Sequence, residues 1–411
     1  MESATTIIIH HILIVLVMIF LAGMIAGKIA SWLRLPDVVV FIAMGMLLGQ
    51  GLHWIHETSS SLFNQAVLTA GSTLILFDGG RNIGLKGLRK VWITITMLAV
   101  PGVLVTIGVV GVGVHLLFGL HWILSFLVGA VIASTDPASI IPVFRQVKIQ
   151  DKVRETVESE SAFNDATGSI LTFTLLAVVL GQSSLEAGPM IYDFLKTAIG
   201  GVLVGAIVAF PFTYLTGHAK YALLKEYTTI VMVVVSLSAY LVGDLLHVSG
   251  FMATFVAGLI WGNEKTFGLS MHEKRQEMDH FADNVTVLMR MLIFILLGSQ
   301  VNFQVLLTYF WPSLAVVLIL MFVARPLTII SCAWPDRKAK WTWKELAFMV
   351  WVRETGVIPA ALSGMIVASG VKHADIIASV TFMAIMLTIL VQASSTAWVA
   401  RKLGLEVRHD N

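Results

Sequence analysis

A succession of apolar segments, each long enough or nearly long enough to cross a bilayer, constrains this chain more than any other feature. A helical crossing takes about 20 apolar residues, fewer where neighbours shelter it. About thirteen such segments follow one another: 6–27, 37–55, 62–80, 91–118, 122–144, 156–181, 190–217, 226–248, 249–263, 282–300, 305–334, 345–369 and 373–400. The expected fold is an all-α polytopic membrane protein. Only 13% of the residues are charged, against roughly 25% in ordinary globular chains. No stretch is long and polar enough to fold as a separate soluble domain. Residues 1–411 therefore read as one membrane transport domain, with no cytoplasmic regulatory domain in the chain. The first run spans and lacks the basic flank of a cleaved signal peptide. The single cysteine, Cys332, excludes an internal disulfide and a cysteine metal cage. Val248-Ser249-Gly250 is either a break between two spans or a kink in a re-entrant piece.

The connections alternate in charge. Those with odd numbers, with the C-terminal tail, hold 22 of the 27 Lys and Arg residues. The even-numbered connections hold Lys372 alone, while Lys196, Arg290, Arg325 and Arg353 fall inside segments. Basic connections stay cytoplasmic, so the N-terminus is expected outside and the C-terminus in the cytoplasm. At about 1.5 Å per residue, four charges reach a similar depth. Asp165 and Arg325 lie roughly 14 Å from the cytoplasmic ends of their segments, Asp136 and Arg353 roughly 12 Å.

Thirteen spans divide as six, a linker helix at 190–217, and six. The halves, approximately 6–181 and 226–400, then form inverted repeats of the kind common in transporters. Segment 5 contains Ser134-Thr135-Asp136-Pro137, and its counterpart, segment 12, contains Arg353-Glu354-Thr355-Gly356-Val357-Ile358-Pro359. Segments 4 and 11 also pair, through Pro101 and Pro326. Paired polar, proline-containing interruptions at one depth predict two broken helices crossing at a central site.

The polar stretch from Glu158 to Gly168 opens segment 6 with three acids, three hydroxyls and an amide. Ionisable groups at such depth are costly, and a functional site is the default reading. Ser161, Asn164 and Asp165 share a helical face, with Glu160 one turn before Asn164. Asp165 is the first candidate for a carrier, because one carboxylate can hold either a proton or a small alkali cation. Desolvation favours the first and a bound cation the second. A hard cation takes oxygen ligands, offered here by Ser161, Thr135, Asp136 and carbonyls freed at the break. Asp136 either binds the cation, directly or through water, or offsets the positive ends of half-helices. An unpaired Arg325 would be expensive at its depth, so a structural ion pair with Glu160 is expected. Arg353 and Glu354 either counter the dipoles at the segment 12 break or pair with each other. Arg290 is placed near a solvated cytoplasmic funnel and Asp78 at the inner interface. Asp244 reads as a helix–helix hydrogen bond in preference to a pathway residue. His10 and His11 receive no role. No phosphate loop, zinc spacing or nucleic-acid patch is present, and no cofactor is expected.

On Thr135-Asp136-Pro137, Glu160-Ser161 with Asn164-Asp165, Phe77-Asp78-Gly79-Gly80 and Ala324-Arg325-Pro326, the chain resembles monovalent cation/proton antiporters of the cation–proton antiporter 1 group. Its nearest likeness is to the prokaryotic NhaP type, with the mammalian sodium/hydrogen exchangers more distant. The resemblance covers nearly the whole chain. It implies a 13-span inverted-repeat fold, a homodimer in a prokaryotic cell membrane, and elevator-like alternating access serving pH homeostasis. It implies cation contacts from Asp165, Ser161, Asp136 and the Thr135 backbone, support from Asn164, and a Glu160–Arg325 pair. Asn164, standing where an electrogenic branch has a second Asp, implies electroneutral exchange of one cation, Na+ first and K+ or Li+ next, for one proton. Many relatives carry Gly-Leu-Arg-Gly in the segment 12 break. Here Thr355-Gly356 ends that pattern and Arg353 stands two positions earlier. A gated cation channel is the alternative function, but no continuous polar filter is found. An intramembrane aspartyl protease would need Gly-x-Gly-Asp, which Leu241-Val242-Gly243-Asp244 fails, so no enzyme activity is expected.

Overall fold

The computed structural model describes residues 4–406 apart from 34, 136–148, 184–186, 219 and 222. Its regular structure is helical throughout these residues. Eight helices among them are long and apolar enough to cross a membrane: Ile8–Leu33, Val91–Phe118, Asp151–Val179, Ile191–Gly217, Lys225–Leu245, His272–Ser299, Phe310–Cys332 and Ala374–Leu403. Asp37–Gly51, Trp122–Val131, Gly250–Gly262 and Val357–Ala368 are shorter apolar helices. Leu62–Asn82 has 21 residues, but Asn64, Gln65, Asp78 and Arg81 dilute its apolar character. The chain is an all-helical integral membrane protein, as its composition requires.

Local chemistry sets several boundaries. Ser249 caps Gly250–Gly262 by accepting from the Met252 amide, which makes Val248-Ser249-Gly250 a break between two helices. Thr342 and Glu345 form a reciprocal capping box at the start of Trp343–Trp351, satisfying two amides that the helix itself cannot. Pro101 lies within a π-type turn, Leu98–Gly102. A second such turn, Leu320–Ala324, directly precedes Arg325-Pro326. A proline cannot donate to the helical ladder, and a widened turn accommodates it. The two helices meet near these turns, where the Thr106 and Thr328 hydroxyls share a 3.1 Å hydrogen bond.

Packing fixes the frame around the polar stretch. Leu62–Asn82 lies directly on Gly250–Gly262, and a Cβ on Gly258 would stand 2.1 Å from the Phe77 carbonyl oxygen. Only a residue without a side chain allows that approach, a common device where helices associate in lipid. One apolar core gathers Val110, Leu127, Val131, Val317 and Ile377. Another gathers Ile19, Ile42, Phe294 and Ile385. Ile8, Leu13, Ile207 and Leu241 are exposed, as lipid-facing side chains must be.

Candidate functional site

Two breaks and one continuous helix build the site. Trp122–Val131 ends at Ile132, after which Ala133, Ser134 and Thr135 leave the helical path. Trp343–Trp351 ends at Val352, and Val357–Ala368 begins after Gly356. Pro359 falls in the first turn of that second half, where its missing N–H costs nothing. Between them runs the unbroken helix Asp151–Val179, which carries Glu160, Ser161, Asn164 and Asp165.

Thr135 is held against this helix by three bonds. Its amide donates to Asn164 Oδ1 at 3.0 Å, and Asn164 Nδ2 donates to Thr135 Oγ1 at 2.9 Å. The Thr135 and Ser161 hydroxyls share a 2.6 Å bond. One helical turn beyond Asn164, Gly168 faces Ser134, and a Cβ there would lie 3.3 Å from the Ser134 Cβ. The face with positions 161, 164 and 168 is therefore the seat of the first break. Asp165 adjoins it and is 6% exposed. Four of the five candidate cation-site residues, Thr135, Ser161, Asn164 and Asp165, are thus gathered and buried. The fifth, Asp136, lies outside the described residues, as does Pro137.

Glu160, one turn before Asn164 and at the edge of the same polar face, has a different chemistry. Glu160 accepts from both terminal nitrogens of Arg325, and the Nη2–Oε2 bond measures 3.0 Å. Arg325 Nε also donates to the Met349 carbonyl at 3.0 Å, and Nη2 to the Val352 carbonyl at 3.3 Å. Gln392 Nε2 donates to the Trp351 carbonyl at 2.8 Å. The last carbonyls of a helix have no partner within it. Arg325 and Gln392 supply donors for three of these at the second break. Across the gap, the Thr355 amide donates to Thr388 Oγ1 at 3.0 Å.

Arg353 links the two breaks. Its Nη2 donates to the Ile132 carbonyl at 2.8 Å and the Ala133 carbonyl at 2.9 Å. A guanidinium on one interruption thereby satisfies the C-terminal carbonyls of the half-helix at the other. It is 1% exposed, and its positive charge faces the negative end of that half-helix dipole. The sequence offers compensation at the segment 12 break or local pairing; the hydrogen bonds of Arg353 go instead to the end of the segment 5 half-helix. Glu354 is buried beside it.

Other expectations shift. Arg290 is not solvated but buried, and its Nη2 lies 2.6 Å from Asp37 Oδ1. Asp78 is engaged by Arg81 at 2.8 Å, and Arg81 reaches on to Asp279 at 2.5 Å. Asp244 makes no side-chain hydrogen bond or ion pair among the described residues and lines a cavity instead. His11 Nε2 lies 2.8 Å from Glu57 Oε1. Sequence reasoning passed over Thr388 and Gln392, one turn apart. They are polar side chains inside an apolar run, the same signal that singled out Asp165.

Residues 12–402 match the family of sodium/hydrogen exchanger transmembrane domains. The chain is 32% identical over 405 residues to the K(+)/H(+) antiporter NhaP of Alkalimonas amylolytica, spanning 96% of this chain and 67% of that protein. It is 29% identical over 414 residues to the Na(+)/H(+) antiporter 1 of Methanocaldococcus jannaschii, spanning 93% of each. The structure of the sodium proton antiporter MjNhaP1 from that organism at pH 8 superposes with a TM-score of 0.85 at 26% identity. That superposition covers 96% of this chain and 99% of the other.

Proposed function

This chain belongs to the sodium/hydrogen exchanger family, and from that premise we propose that it is a secondary antiporter exchanging a monovalent alkali cation for H+. The relatives it resembles are named for K+ and for Na+, so the cation is assigned as a class with Na+ and K+ as its first members. The channel alternative has no support among these relatives.

The observation that carries the reading is the fastening of Thr135 to Ser161 and Asn164 beside the buried Asp165. Backbone that leaves the helix at membrane depth is tolerated only where protein buries it or it lines a cavity. Here the break is tied to the helix turn that carries the carboxylate. Asp165 takes a proton or a cation in alternation. Asp136, Ser161 and the Thr135 main chain complete an oxygen-rich site, and Asn164 holds Thr135 in place. Glu160 and Arg325 neutralise each other, so Asp165 contributes the one exchangeable charge. One proton then replaces one cation, and the cycle is electroneutral.

The working molecule in this proposal crosses a prokaryotic cell membrane thirteen times, N-terminus outside and C-terminus in the cytoplasm. Residues 6–181 and 226–400 form inverted repeats about the 190–217 helix. It acts as a homodimer in which the site-bearing helices move relative to a lipid-anchored frame. No resident cofactor takes part.

Reconstitution into proteoliposomes tests this. An outward cation gradient of Na+, K+ or Li+ should drive proton uptake at a rate that does not change with an imposed membrane potential. Net current during exchange would overturn the one-for-one stoichiometry. Absence of cation-driven proton movement with every cation across a pH series would overturn antiport itself.

A further inference from the structure

A cavity of about 460 Å³ lies away from the Thr135–Asp165 site. Every segment lining it contributes the end next to a connection poor in Lys and Arg. Its floor includes Ile170 and Met365. Ile170 follows Asp165 by five residues on the same helix, about 7.5 Å farther along the axis. Met365 belongs to the half-helix Val357–Ala368 that starts at the second break. The cavity thus rests on two of the elements that build the site.

Its lining has one carboxylate, Asp244, and no Lys or Arg. Asp244 is exposed and has no ion-pair or side-chain hydrogen-bond partner among the described residues. The side chains of Thr69, Thr197 and Ser249 add neutral oxygens. Phe173 and Phe251 also line the cavity, stacked at a centroid distance of 6.2 Å, with Tyr240 5.2 Å from Phe251. Oxygen ligands suit hard cations, and aromatic faces attract positive charge. A concave surface with one sign of charge and low-dielectric walls concentrates its counter-ion.

We propose that this cavity is the cation-loading vestibule on the Lys- and Arg-poor face and that Asp244 is its recruiting carboxylate. The proposal rests on the antiport reading above and adds the route by which a hydrated monovalent cation approaches Asp165 from one side. Asp244 acts before the binding step: it raises the local cation concentration without entering the exchange stoichiometry.

Two measurements test it. In membrane vesicles of opposite orientation, Asp244→Asn should raise the half-saturating Na+ or K+ concentration about three- to tenfold at the vestibule face only. The maximal rate should hold, Asp244→Glu should restore the wild-type value, and added N-methylglucamine chloride should shrink the difference by screening. Half-saturation unchanged at that face, or raised equally at both, would overturn the proposal. The second measurement does not require transport. A cysteine introduced as Thr69→Cys should react with a cationic thiol reagent faster than with an anionic one. Adding Asp244→Asn should cut that ratio about three- to tenfold, and an unchanged ratio would overturn the vestibule whether or not the protein exchanges ions.

Discussion

Arg325 can stay charged inside this molecule because nearly every direction its guanidinium points meets an oxygen. Glu160 takes two of its five N–H groups, and the Met349 and Val352 carbonyls accept from two more. Both side chains are almost wholly buried, so removing either leaves a charge with no water to replace the partner. Breaking such a pair costs about 3–5 kcal/mol. Arg325→Ala and Glu160→Gln should therefore lower thermal unfolding temperature and yield while leaving the order of cation preference intact. A variant that unfolds normally but prefers a different cation would show that the pair belongs to the ion site. The pair itself is legible in the chain, because two opposite charges fall at matching depth in apolar segments. The carbonyl partners are not. Main-chain acceptors carry no mark in a sequence, and they become visible only when a helix end is known to stop beside the guanidinium. Arg290 escapes notice for a different reason: its partner Asp37 is a visible acid, but it stands 253 positions away and shares no helix face with it.

At the scale of elements, proline and polar residues mark both interruptions in the sequence itself. The segment 12 break falls within the expected stretch, between Trp351 and Val357. What the residues alone do not reveal is the fastening between breaks. Arg353 looks misplaced against Gly-Leu-Arg-Gly, yet its reach to Ile132 and Ala133 makes it the tie between half-helices. Removing it exposes two buried carbonyls to apolar surroundings, at about 1–3 kcal/mol for each group left unsatisfied. Arg353→Met should depress thermal stability and also raise the half-saturating cation concentration, since Thr135 follows Ala133 by two residues. Arg353→Lys should recover part of both. Unchanged cation affinity in Arg353→Met would confine the residue to a structural role. Segment ends follow the sequence less closely. Arg275–Ser299 starts seven residues before the apolar run at 282, because helices extend into the interface on charged turns that hydropathy discards.

For the whole molecule, the alternation of basic and non-basic connections carries the most information, because it constrains every segment at once. It implies an inside and an outside, and with them an expected depth for each buried charge. The helical architecture and the family agree with the apolar segments and the motifs, while the orientation belongs to the proposal. The proposed homodimer and the proposed movement between two access states leave no such trace, since both depend on how finished surfaces meet. At the centre of the proposed function is one carboxylate, Asp165, proposed to alternate between proton and cation. Cation-driven proton flux in proteoliposomes containing Asp165→Asn tests that most directly. The variant should fold, with a thermal unfolding temperature near that of the wild type, and move no protons when Na+, K+ or Li+ is added. Exchange at a wild-type rate by that variant would contradict it.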